Sequence, residues 1–274
     1  LIIDIQRGGP STGLPTKTEQ SDLLQAVYGR NGECPVAVLA ARSPIDCFET
    51  TLEAFRIATR YMTPVIVLSD GGIANATEVG TIPRIDDLPP FEVNFRTNPE
   101  GFHIYDRDEN LARAWVRPGT AGLEHRIGGL EKDAVSGEVS VNGRNHEEMV
   151  RTRAAKIAGI SRDIPVLEVE GDAEAKLLVI GWGGTYGSIA EAVRQSIAEG
   201  HPVAHVHLRH LNPLPDDLGE IMERYQNILV PEINLGQLSK ILRDRYLRET
   251  IGFNRVQGKP LKVTELCRVI ADLA

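Results

Sequence analysis

The chain has 274 residues, 42% of them hydrophobic and 25% charged, with a formal net charge of -8 at pH 7. Such a length buries one large or two ordinary cores, and an acidic chain without a long Lys/Arg run lacks the basic face that nucleic acid requires of a partner. Cys34, Cys47 and Cys267 are far apart and odd in number, which argues against a disulfide framework and against an iron–sulfur cluster held by this chain; no apolar run approaches the ~20 residues of a membrane span, so cytoplasm is the expected compartment.

In chain order, LIIDI at 1–5 opens without an initiator Met and reads as a buried strand already under way, so a chain whose upstream part is missing is expected. A loop rich in Gly, Pro, Ser and Thr follows at 7–16, and apolar spacing predicts a helix over 19–28. A strand at 36–41, a helix over 45–62 and a strand at 65–68 complete a βαβαβ rhythm, whose short crossovers build a parallel, right-handed sheet. Ser43 and Pro44 make a good helix start, the hydroxyl capping free N–H groups and the proline standing where no donor is needed. Phe48, Leu52, Phe55 and Ala58 are then the expected sheet-facing stripe.

From about 70 to 172 continuous apolar runs become scarce, and stretches such as PRIDDLPP at 83–90 fit neither the helical nor the strand period. Helical spacing and strong helix formers over 146–160, HEEMVRTRAAKIAGI, predict one isolated helix there. An α/β rhythm then restarts, with strands expected at 176–180, 203–208 and 227–230 and helices at 188–197, 216–224 and 235–247. The predicted fold is α/β, with units at 1–80 and 174–274 separated by a linker and elaborated surface segment at 81–173.

The richest local signal is QRGGPSTGLPTK at 6–17, directly after a strand and before a helix. Strand ends of parallel sheets are where ligands bind, because the loops diverge there and the next helix aims its N–H groups at them. Gly8, Gly9 and Gly13 permit close backbone approach, Arg7 offers a planar fork of donors suited to a carboxylate or phosphate, and Ser11, Thr12 and Thr16 add hydroxyls. An anion site is one reading; a Gly/Pro-rich turn whose arginine pairs with a structural carboxylate is the other. Neither GxxxxGK[ST] nor GxGxxG is present.

That segment, continued as QRGGPSTGLPTKTEQSDLLQAVYGRNGE, resembles the signature of the alpha subunits of 2-oxoacid:ferredoxin oxidoreductases, the 2-oxoglutarate branch in particular. The likeness extends through SPIDCFETTLEAFRIATRYMTPVIVLSD, LEHRIGGLE, HEEMVRTRAAKI and VPEINLGQL, and so covers essentially the whole chain. It implies part of a thiamine diphosphate pyrimidine-binding domain followed by a transketolase C-terminal-like domain. It also implies oxidative decarboxylation of 2-oxoglutarate with coenzyme A to succinyl-coenzyme A, with electrons passing to ferredoxin. By the same resemblance Arg7 faces the substrate carboxylate beside the thiamine ring, with Thr12 and Thr16 as weaker polar contacts.

The resemblance assigns Mg2+, the cofactor's diphosphate and a [4Fe-4S] cluster to a beta subunit, in an alpha2beta2-type assembly that shares thiamine diphosphate across the interface. The family's YPITP-type substrate loop and the glutamate that protonates the aminopyrimidine precede the QRGGPSTG loop, so no catalytic acid is expected in this chain, nor activity from it alone. Glu19 is not put in that place, since a carboxylate near a helix start serves the helix dipole. No coenzyme A site is apparent. A pyruvate or branched-chain 2-oxoacid oxidoreductase subunit, or a catalytically empty assembly module, is the alternative reading.

Two other constellations are set against bland readings. His201, His205, His207 and His210 surround a strand, with His205 and His207 on one face and His210 in the loop before NPLP; a partly buried structural or interface role is preferred to a metal site. GWGGTYG at 181–187 could cradle an anion at a helix N-terminus, but reads more simply as a tight turn between strand and helix. Asp70, Gly71 and Gly72 form a further strand-end loop, near the cofactor by its position but with no role assigned.

Overall fold

The computed structural model describes residues 1–88, 91, 93 and 95–274. Its first unit runs β1 (Ile2–Gln6), α1 (Leu23–Tyr28), β2 (Ala37–Ala40), α2 (Asp46–Arg60), β3 (Val65–Asp70) and the short α3 (Gly71–Ala74). β1 and β2 both pair in parallel with β3, in registers that include Ile3↔Val67 and Leu39↔Val67. The expected parallel rhythm is therefore present, with three departures in how it is packed.

β1 is not a buried strand. It lies at the edge of the sheet, and Ile2 and Ile3, which alternate between its two faces, are 54% and 55% exposed. The helix expected from 19 begins only at Leu23, since the preceding residues form tertiary bonds instead: Ile233 N–H donates to Gln20 Oε1 and Asp22 N–H to Gln6 Oε1. On α2 the sheet-facing stripe is Thr50, Ala54 and Ile57, continued by Tyr61, while Phe48 and Phe55 are 42% and 48% exposed. Small Ala54 lets the helix lie close to the sheet. The ring of Phe55 instead meets Phe91 edge-on at 6.4 Å, and Trp115 Nε1 donates to Thr59 O, so the intervening segment folds over the helix's outer side.

That segment is as poor in regular structure as its composition predicts. Ile85–Asp87 form a single 3-10 turn, and Pro89 and Pro90 of the PRIDDLPP stretch lie outside the described residues. Isolated bridges such as Arg107↔Arg113 and Lys132↔Val139 replace a sheet. Among the described residues its one long element is α4 (Gly143–Gly159), which starts earlier than expected because the Asn142 side chain accepts from the N–H groups of Arg144 and Asn145. Ile157 and Ile160 at its end pack with Ile57, Tyr61 and Val67.

The second unit comprises β4 (Glu170–Gly171), β5 (Leu177–Trp182), α5 (Tyr186–Ala198), β6 (Ala204–Leu208), β7 (His210–Asn212), α6 (Leu218–Glu223), β8 (Asn227–Glu232), α7 (Gln237–Tyr246), β9 (Ile251–Asn254) and α8 (Val263–Leu273). Its sheet has the order β4-β6-β5-β8-β9, parallel except for β4. β9 and α8 extend the rhythm past the last helix read from sequence; α8 seats Leu266 and Ile270 in the same cluster as Ile189 and Val193 of α5.

β7 leaves this sheet and adds to the first one, antiparallel to β2, giving the order β1-β3-β2-β7. His210, expected in a loop, is thus a buried strand residue opposite Leu39. One hydrophobic cluster runs through both units, with Leu23, Val38 and Leu68 of the first packed with Ile180, Trp182 and Leu242 of the second. Among the described residues no helix is long and apolar enough to cross a membrane.

Candidate functional site at the rim of the first sheet

The loop at 7–17 rises from the carboxyl end of β1 and closes on itself. Gly8 N–H donates to Lys17 O at 3.1 Å, and Leu14 N–H donates to Gly8 O at 2.8 Å. Gly13 has φ +52°, and a Cβ there would stand 2.0 Å from Gly8 O, so the closure requires glycine. A Cβ on Gly9 would meet nothing within 4 Å, leaving open space beside the loop.

Arg7 projects from this frame. Its side chain is exposed, its Nη1 donates to the carbonyl of Thr12, and among the described residues no carboxylate pairs with it. Among the described residues, then, no structural Asp or Glu neutralises the arginine. Thr12 is brought to Arg7 through its backbone oxygen rather than its hydroxyl, and Thr16 is exposed further round the loop with φ 61°.

Beneath the loop is a floor of buried, mutually bonded polar groups. Asp70, 2% exposed at the end of β3, accepts at Oδ1 from Thr18 Oγ1 (2.7 Å), Gly72 N–H (2.7 Å) and Ile73 N–H (3.1 Å), and at Oδ2 from Gly184 N–H (3.2 Å). It thereby caps α3 and ties the turn after β5 to the first sheet. Gln20 makes the parallel connection, donating to Trp182 O and accepting from Ile233 N–H, while Gln6 Nε2 donates to Ser69 O. Every partner satisfied, such a network holds a rim in one arrangement. Gln6, Thr18 and Gln20 were not singled out from sequence; the available signal was polar residues placed where apolar ones would continue a strand or a helix face.

Glu19 lies against Gly8, and burial, with Asp22 beside it, raises its carboxyl above the ordinary range. Glu232 is fully buried; desolvation raises its pKa, opposed by the N–H groups of Leu238 and Ser239 and by the Asn234 and Trp182 side chains that donate to it. The GWGGTYG turn gives its Gly184 N–H to Asp70, so the chain's own carboxylate occupies a donor that an external anion would need.

The histidines divide between the two sheets. His205 Nδ1 is 3.1 Å from Glu170 Oε2, and His207 Nε2 is 3.0 Å from Gly183 O; Tyr186 packs its ring against both imidazoles, with Arg42 over that ring at 4.7 Å. Burial lowers the pKa of both rings, and that of His210 falls to about 4 for the same reason, partly offset by Glu53. Among the described residues no three His, Cys, Asp or Glu gather as a metal site.

Residues 1–142 match the family model described as pyruvate flavodoxin/ferredoxin oxidoreductase, thiamine diphosphate-binding. The chain is 57% identical to the 2-oxoglutarate oxidoreductase subunit KorA of Mycobacterium tuberculosis over 98% of its own length and 41% of the relative's. It is 31% identical to the 2-oxoglutarate synthase subunit KorA of Methanothermobacter marburgensis, over 87% of this chain and 63% of that one. A solved 2-oxoglutarate:ferredoxin oxidoreductase from Magnetococcus marinus, with 2-oxoglutarate, coenzyme A and succinyl-CoA bound, superposes with a TM-score of 0.94 at 33% identity, covering 98% of this chain and 48% of that one. The chain thus spans about two fifths to two thirds of the length of the relatives it matches.

Proposed function

The chain belongs to the pyruvate flavodoxin/ferredoxin oxidoreductase family, and from that premise we propose that it is the part of a 2-oxoglutarate:ferredoxin oxidoreductase alpha subunit that presents Arg7 to the substrate. The reaction is oxidative decarboxylation of 2-oxoglutarate with coenzyme A, giving succinyl-coenzyme A, carbon dioxide and reduced ferredoxin. Identity of 57% with a 2-oxoglutarate oxidoreductase subunit favours 2-oxoglutarate over pyruvate or a branched-chain 2-oxoacid. The observation that carries the reading is an exposed guanidinium at a sheet rim, framed by glycines and free of any carboxylate among the described residues.

In this reading Arg7 binds and orients. Its fork grips a carboxylate of the 2-oxoacid, and the self-closed loop fixes the direction of the grip, so that the neighbouring carbonyl carbon is held in place rather than sampled. Thr12 contributes by holding the guanidinium through its carbonyl, and Thr16 stands by as a hydroxyl at the loop's far side. Thiamine diphosphate, when bound, supplies the nucleophilic carbon that attacks the carbonyl. The open space at Gly9 fits a ligand in front of the loop. Mg2+, the diphosphate contacts and a [4Fe-4S] cluster belong to a beta subunit, in an alpha2beta2-type assembly of the cytoplasm that passes electrons to ferredoxin. The bare faces of β1 support a chain that meets further polypeptide there.

The test is Arg7→Ala in the purified complex carrying the full-length alpha subunit. A charge-assisted contact contributes about 1.5–3 kcal/mol, so kcat/KM for 2-oxoglutarate should fall ~10- to 150-fold, with the thermal midpoint unchanged. Unaltered turnover and substrate affinity would remove Arg7 from the site. A panel of 2-oxoglutarate, pyruvate and branched-chain 2-oxoacids on the same complex tests the substrate.

A further inference from the structure

At the other end of the first sheet lies a cavity of about 350 Å³ whose lining carries more positive than negative side chains. Arg107 and Arg113 face each other across an isolated antiparallel bridge, and their guanidiniums lie 5.6 and 5.2 Å from the centre of the same Tyr105 ring. Lys132 enters from the next hairpin, and Arg153 and Lys156 from α4. α2 separates this cavity from the rim that bears Arg7. The helix begins after the carboxyl end of β2 and its 15 residues span roughly 22 Å, and Lys156 Nζ donates to the carbonyl of Met62, just past its far end.

The charges here are poorly answered within the chain. Lys132 is 3% exposed, yet its ammonium donates only to Leu130 O, two residues away, and among the described residues no carboxylate pairs with it. Arg107, Arg113 and Lys156 likewise form no ion pair among the described residues. The acid lining the cavity, Glu131, is engaged by His146 at 2.8 Å, with Arg153 at 3.9 Å. Asp108 and Glu148 are near enough to be felt by Lys156 and Arg107 respectively, but the Asp108 carboxylate caps the N–H groups of Asn110 and Ala112. Burial, with Arg113 and Arg107 beside it, lowers the Lys156 amine to about 8. Gathering like charges in a half-closed space is unfavourable unless an anion joins them.

We propose that this cavity is a binding site for a phosphate-bearing small molecule, held by Arg107 and Arg113 as planar forks and by Lys132 and Lys156 as point charges. The volume is that of a small-ligand pocket, and cations converging from separate segments of chain suit the several oxygens of a phosphate or diphosphate. The site is independent of the reading of Arg7.

Isothermal titration tests it on the purified complex carrying the full-length chain, saturated beforehand with thiamine diphosphate and coenzyme A. Inorganic pyrophosphate should bind one further site per chain, and Arg113→Gln and Lys156→Gln should each weaken it tenfold or more, with Lys156→Arg retaining it. ADP run in parallel separates the sources: tighter binding than pyrophosphate identifies a nucleotide, equal binding the anion alone. With sulfate, which does not titrate near pH 8, binding at that pH should take up protons, seen as a heat that varies with the buffer, and Lys156→Gln should abolish the uptake. Absence of a further site, or affinity unchanged in folded Arg113→Gln and Lys156→Gln complexes, overturns the proposal. So does binding of poly-glutamate without pyrophosphate, which would make the cavity part of a protein docking face.

Discussion

β1 and β5 are both short, mostly aliphatic strands, IIDIQ and LLVIGW, yet every residue of β5 is buried whereas β1 has one buried residue, Gln6. β5 lies at the middle of its sheet, between β6 and β8, with helices over its faces; among the described residues β1 pairs only with β3 and ends its sheet. Composition sets how much apolar surface is available for burial, and position in the sheet sets whether burial happens within the chain. The same contrast holds at the strand ends. The turn after β5 has its Gly184 N–H bonded to Asp70, while among the described residues the loop after β1 gives the Arg7 side chain only a carbonyl. One rim is built to hold the two units together and the other to remain available.

Substitutions can break this contrast or sharpen it. The largest effect belongs to Trp182→Ala at the end of β5, which removes a fully buried ring and the donor to Glu232; about 3–5 kcal/mol should be lost in chemical denaturation. Asp70→Ala, at the junction, strands the buried hydroxyl of Thr18 and three N–H groups, and should cost roughly 2–3 kcal/mol by the same measurement. If it instead behaved like a surface change, the two units would not be coupled through that carboxylate.

An acid titration probes the strand that joins the sheets. His210 is held neutral with its pKa at about 4, below the 6.5 of an unfolded histidine, so the unfolded state binds the extra proton. Its stabilising share is complete above pH 6.5 and is lost as pH falls towards 4, with a slope of up to ~1.4 kcal/mol per pH unit, and His210→Gln should flatten the fall in denaturation midpoints between pH 7 and 5. The smallest effect is expected on the bare strand: Ile3→Ala should change the stability of the isolated chain by less than about 0.5 kcal/mol. A clearly larger loss in the assembled complex would locate the polypeptide that covers β1.

Much of the architecture was legible because apolar runs and helical spacing recur with little interruption through 177–247, where every strand and helix apart from β7 lies within a few residues of its expected place. Errors arose where tertiary contact overruled a local pattern. Phe48 and Phe55 looked like the core of α2 by size, but close packing against the sheet favoured Ala54 and Ile57, and the rings were left for the segment that follows. His210 looked like a loop residue because three residues are too few to show a period, and its pairing with β2 is a contact between positions 171 apart in sequence. At the rim, Arg7 was legible as an exposed donor among glycines, while Gln6 bonded to Ser69, Gln20 to Trp182, and Asp70 to Thr18 and Gly184 matter through partners that no window of neighbouring residues contains.

By itself, then, the sequence determined the α/β order of elements, the glycine-framed loop and the family, since these depend on composition, spacing and motif within tens of residues. Tertiary structure alone decided which apolar strand is buried, that β7 crosses to the other sheet, and that cations from three separate segments meet in one cavity. Burial and charge balance are properties of what surrounds a side chain in space, and for a chain this long most of those neighbours are distant in sequence.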